Sequence, residues 1–166
     1  MEPLESTSIH LIQRAVIRLM QMFPYGGVRQ PDVDEFNNQM KFEIDNVRDF
    51  IILHYHVTNR RDTKFWRHCS SMPIPDSLQH RIDLFRETGR VFKVPTELFG
   101  ENSWIQVMLG QGMEPEQYHP IVNMMDKREL DGFLKGIRAN VGKVVGQLPA
   151  HQRFIDHYCK AEPPMM

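Results

Sequence analysis

Met1-Glu2-Pro3-Leu4-Glu5-Ser6-Thr7-Ser8-Ile9-His10-Leu11 opens the chain and decides how the rest is read. Pro3 favours an extended approach, and apolar residues then recur at helical spacing: Ile9, Ile12, Val16, Leu19 and Phe23. A helix therefore begins here, with Ser6 or Thr7 as the natural N-cap. The first amides of such a helix have no intrahelical partner, and the helix dipole adds positive potential, so a small anion fits. On its residues alone the stretch reads as a well-capped helix whose Glu5 favours the positive end.

The same spacing continues beyond it. Pro24-Tyr25-Gly26-Gly27 breaks the first helix, and Pro31-Asp32 opens a long one carrying Val33, Phe36, Met40, Ile44, Val47 and Ile51 to about His54. Asn59-Arg60-Arg61-Asp62 reads as a turn. A short helix through Phe65 and Trp66 stops before Met72-Pro73-Ile74-Pro75. Asp76 or Ser77 caps the next, which buries Leu78, Ile82 and Phe85 and stops at Gly89. Val91-Phe92-Lys93-Val94 is a short strand or an extended loop. A helix follows near Ser103 through Trp104, Val107 and Met108 to Gly110, and Pro115 and Pro120 keep the next loop irregular. Asp126 with Glu129 forms a capping box before Leu130, Phe133, Ile137, Val141, Val144 and Leu148, and Pro149 ends that helix. Phe154 and Tyr158 mark a last amphipathic turn before a disordered Pro163-Pro164 tail. The chain is mainly α.

Bulk properties narrow the function classes. Twenty basic and 21 acidic side chains leave no electrostatic case for nucleic acid or an anionic membrane. No apolar run approaches the roughly 20 residues that span a bilayer, and the N-terminus lacks the plan of a secretion signal. Cys69 and Cys159 form no framework, so free thiols in the cytoplasm are expected. His54 and His56 fall on different sides of a helix, and His68-Cys69 has no ligand spacing, so no metal is expected. Asp62, Asp76 and His80 make a triad only on paper, because no nucleophile elbow accompanies them.

Glu2-Pro3-Leu4-Glu5-Ser6-Thr7-Ser8-Ile9-His10 resembles the Glu-Pro-Leu-Glu-Ser-Thr segment of flavin-dependent halogenases, the tryptophan halogenase family. The resemblance continues through Asn59–Arg67, Met72–Leu78, Ile82–Arg90 and Val107–Gly112. It implies that residues 1–166 are the C-terminal, helical, substrate-side third of an α+β FAD-dependent halogenase or monooxygenase-type fold, without the dinucleotide-binding domain. It implies a catalytic Glu5 beside the reacting carbon of the substrate, polarising hypohalous acid or accepting the proton that the arene loses. Thr7 and Ser8 take the halide-binding positions, where the family usually has glycine at the second. Ser8 keeps a backbone amide, although its Cβ narrows the approach. Ile9 falls where the family's main chain touches the flavin ring.

By the same resemblance the complete enzyme uses reduced FAD, supplied by a flavin reductase, and oxygen. A flavin hydroperoxide then yields hypohalous acid from chloride or bromide. The family's Gly-x-Gly-x-x-Gly loop, Trp-x-Trp-x-Ile-Pro signature and upstream lysine are not in this sequence, and Gly26-Gly27 lacks the strand-turn-helix context of a phosphate cradle. No cofactor is therefore expected on this chain alone. Family members that chlorinate free tryptophan have a Tyr-Tyr pair and a glutamate ahead of a Phe-Trp pair. Arg90–Phe99 is shorter and has no Tyr-Tyr, while Phe99 retains one aromatic wall for an indole-like substrate, ordinary core packing being the alternative for both Phe99 and Trp104. The alternatives are a non-catalytic helical interaction module and a flavin monooxygenase relative. Uncovered apolar surface on the first helix would favour self-association.

Overall fold

In the computed structural model, which describes residues 4–94 and 97–160, every regular element is helical. A 3₁₀ turn at Leu4–Ser6 leads into α1 (Thr7–Gln21), followed by α2 (Gln30–His56), α3 (Lys64–Cys69), α4 (Asp76–Thr88) and α5 (Glu101–Gly110). A 3₁₀ turn at Pro120–Met124 then precedes α6 (Lys127–Gln147) and α7 (His151–Tyr158). Residues 1–119 and 120–166 form two compact units. Val91–Val94 is loop, and the Pro163-Pro164 tail lies outside the described residues.

The start of α4 departs from expectation. Asp76 and Ser77 lie inside α4, whose cap is the extended Pro75. Ser77 instead spends its hydroxyl on the buried Asp49 carboxylate of α2, tying the two helices together. Asp126 does cap α6, accepting from the Arg128 amide. Gly89 ends α4 in the left-handed region, and a Cβ there would stand 2.7 Å from the Gln117 carbonyl oxygen, so only glycine fits.

The first unit is organised by α2, which touches α1, α3, α4 and α5. Phe50 and Leu53 of α2 meet Leu78, Ile82 and Phe85 of α4, Val91, and Trp104 and Met108 of α5 in one buried cluster. The periodicity therefore found the helices but not every buried face. On α2, Ile44 is exposed while its neighbour Glu43 is buried. On α1 the inward residues are Thr7, Leu11 and Arg18, and the stripe Ile9, Ile12, Val16 and Leu19 is exposed, as is Phe23 beyond its end.

In the second unit, Phe133, Ile137, Val141, Val144 and Leu148 of α6 are likewise exposed. Contiguous apolar surface beyond a few hundred Å² drives association on soluble chains, and a net charge of −1 opposes it weakly. The purified chain is expected to form dimers or larger species by light scattering and to enhance a hydrophobic dye while keeping its helicity. A dye-silent monomer would count against this.

Candidate active site

The Glu5-Ser6-Thr7 segment folds as a sharp turn into α1. Ser6 sits at φ 51°, ψ 34°, the only non-glycine residue with positive φ among those described. An L-residue there costs roughly 1 kcal/mol or more, and such strain gathers at functional sites. Ser6 occupies the cap position, but its hydroxyl makes no capping hydrogen bond. Capping needs an extended backbone to swing the side-chain oxygen over the first amides, and the left-handed turn denies it. Thr7, the first residue of α1, is 4% exposed, Ser8 is half-buried, and Ile9 is 70% exposed on the opposite edge. The side chain of Glu5 lies outside the described residues.

Thr7 and Leu11 form one wall of an apolar groove of about 240 Å³, facing Ile44, Val47, Ile51 and Ile52 of α2 with Arg48 at its edge. Arg48 is engaged by Asp45 and Asp49. Thr7, the candidate halide residue, thus stands beside apolar walls at a helix start.

A charged cluster that the sequence reading did not single out joins α1 to α2. Glu43 is 3% exposed and receives Arg14 Nε at 3.0 Å and Arg18 Nη1 at 2.9 Å, with His10 Nε2 at 3.5 Å. Burial alone would raise its carboxyl, but hydrogen bonds and charge from Arg18 and Arg14 outweigh it and hold Glu43 below the ordinary carboxylate range. The available signal was the i, i+4, i+8 spacing of His10, Arg14 and Arg18, a cationic edge on an otherwise apolar helix.

Phe99 is placed apart from this cluster in its contacts. Its ring stacks on Phe50 with centroids 3.8 Å apart and packs against the core, while Phe50 also meets Trp104 edge-on. Trp104 is 1% exposed, and its indole Nε1 has no hydrogen-bond partner. The Arg81 guanidinium covers the Trp104 ring at 4.0 Å and pairs with the buried Glu97 at 2.6 Å. The one carboxylate described in the Arg90–Phe99 stretch is therefore already neutralised by the protein. Pro95 and Thr96 lie outside the described residues.

The histidines have local partners. His54 Nδ1 lies 2.8 Å from the Phe50 carbonyl oxygen, and His56 Nδ1 lies 3.2 Å from that of Cys69. Among the described residues no three His, Cys, Asp or Glu side chains converge as metal ligands. Asp62, on the surface, is bound by Arg60, whose hydrogen bond lowers its pKa. No described helix is long and apolar enough to cross a membrane.

Every regular element among the described residues is helical, as in the helical C-terminal part of a flavin-dependent halogenase fold. Residues 1–127 match the tryptophan halogenase family, and the chain belongs to that family. It is 55% identical to Xcc4156, a flavin-dependent halogenase from Xanthomonas campestris, with a TM-score of 0.92 over 99% of this chain and 33% of that one. BrvH, a flavin-dependent halogenase from Brevundimonas sp. BAL3, is 41% identical, with a TM-score of 0.89 over 95% of this chain and 32% of its own. Tryptophan 6-halogenase SttH from Streptomyces toxytricini is 28% identical over 92% of this chain and 30% of itself. The chain spans about a third of the length of these relatives.

Proposed function

We propose that residues 1–166 form the substrate-side part of an FAD-dependent halogenase acting on an electron-rich, indole-like arene. The observation that carries this reading is the Glu5-Ser6-Thr7 turn in a chain of this family, strained at Ser6 and followed directly by the buried Thr7. In this reading Thr7 and the Ser8 amide hold the halide at the positive end of α1. Glu5 polarises hypohalous acid or takes the proton that the arene releases. Phe99, partly buried beside Phe50, gives the ring an aromatic wall.

The residues of this chain do not by themselves fit a flavin. Gly26 and Gly27 sit in the turn between α1 and α2 with no strand before them, and the one assigned contact, the main chain at Ile9, is too small to hold the cofactor. Reduced FAD, delivered by a flavin reductase and bound by the remainder of such an enzyme, would activate oxygen as the oxidant of the halide. The chain titrated alone with oxidised or reduced flavin is therefore expected to show no saturable binding, and a micromolar Kd would contradict that expectation. Fused behind the flavin-binding part of a relative such as Xcc4156, it should yield halogenated indole, by mass spectrometry, when reductase, oxygen and bromide or chloride are supplied. Flavin oxidation without any halogenated product would sink the proposal in favour of a non-halogenating relative.

A further inference from the structure

The turn at Glu5–Ser8 can act only if α1 holds it in one place, and hydrophobic packing on α2 is poorly suited to do so. Apart from Arg18, only Thr7 and Leu11 of α1 are buried, and they face a groove of about 240 Å³. The apolar stripe of α1 is largely exposed, with Leu19 half-exposed over an open groove against Val33 and Phe36 of α2. Such a contact is non-directional and tolerates sliding or rotation. The Glu43 cluster does not.

Each carboxylate oxygen of Glu43 takes a different arginine one turn apart on α1, Oε1 from Arg14 and Oε2 from Arg18. Met40 Sδ, one turn earlier on α2, lies 3.1 Å from the same Arg18 Nη1. Slipping α1 by one turn, about 5.4 Å, would leave Glu43 a single arginine, with His10 or Met22 in the place of the other. Rotating it would withdraw both guanidinium groups together, because residues four apart share a face. Charge-assisted bonds of this kind fix geometry as well as energy.

We infer that Glu43 is a positioning residue that sets the register of α1 on α2 and thereby the place of the Glu5–Ser8 turn. The inference rests on the reading of that turn as the halogenation site, and its test separates the two. Glu43→Gln keeps the side-chain volume and loses the charge. Arg14→Gln removes one arm without stranding the carboxylate, since Arg18 remains, and serves if Glu43→Gln fails to fold.

In hydrogen exchange on the chain itself, amides of the turn and α1 should exchange at least tenfold faster in Glu43→Gln, and less so in Arg14→Gln, while α4 and α5 keep their protection. Lowering the pH should loosen α1 of the unsubstituted chain in the same local way. Glu43 faces Arg14, Arg18 and His10 of α1, and its folded-state pKa lies below the ordinary 4.5, so the stabilisation is complete above that value and is lost as pH falls beneath it. Glu43→Gln should lack that acid transition in α1. Uniform loosening of every helix would overturn the inference.

In the completed enzyme, halogenated product per flavin oxidised should fall at least tenfold in Glu43→Gln with the rate of flavin oxidation unchanged. Local loosening with unaltered product yield would also overturn it. Should the unsubstituted fusion make no product at all, the halogenase reading fails, and the exchange pattern alone decides the clamp: local loosening supports it, uniform loosening or none refutes it.

Discussion

Replacing Glu5 by glutamine in an enzyme completed with a flavin-binding part is expected to cut arene halogenation by a hundredfold or more while flavin oxidation continues. Electrophilic substitution on an arene creates a cationic intermediate that must shed a proton. A carboxylate stabilises that charge and accepts the proton, whereas the isosteric amide does neither. General base assistance contributes typically about 10²–10⁴ in rate. The flavin steps do not need this group in the proposed reading, so oxygen consumption becomes uncoupled from product. The assay compares halogenated indole with oxygen consumed. Parallel loss of both would move Glu5 into a structural role at the start of α1.

The second large effect concerns substrate choice, where indole should outcompete free tryptophan by a hundredfold or more. Free tryptophan brings an ammonium and a carboxylate that need partners when they leave water. The Arg90–Phe99 stretch has no Tyr-Tyr pair, and Glu97 is already bound to Arg81, which also covers Trp104. Recruiting Glu97 for a substrate ammonium would strand a nearly buried guanidinium. Leaving charges unpaired in a dry pocket costs several kcal/mol, enough for that ratio. An aromatic ring without a charged head pays nothing of the kind. Direct competition between the two substrates decides the matter, with tryptophan winning as the contrary result.

The sequence by itself determined where the helices lie and what interrupts them. Periodicity, the Pro24–Gly27 breaker, Pro31 near the start of α2, Gly89 after α4 and Asp126 before α6 are local signals, and local backbone sterics decide them. It also carried the Glu5-Ser6-Thr7 segment through which family resemblance enters. It did not reveal the left-handed Ser6, because serine has no intrinsic preference for that region and only the join between the 3₁₀ turn and α1 imposes it. Nor did it reveal which faces are buried. Helix α1 has a clear apolar stripe along Ile9, Ile12, Val16 and Leu19, yet the structure leaves that stripe exposed and turns Thr7, Leu11 and Arg18 inward. Tertiary structure made that choice by setting Glu43 against cations 25 and 29 residues away. A lone carboxylate belongs at the surface by every local rule, and only the assembled guanidinium groups make its burial tolerable. The same holds for Glu97, which is buried because Arg81 of α4 meets it.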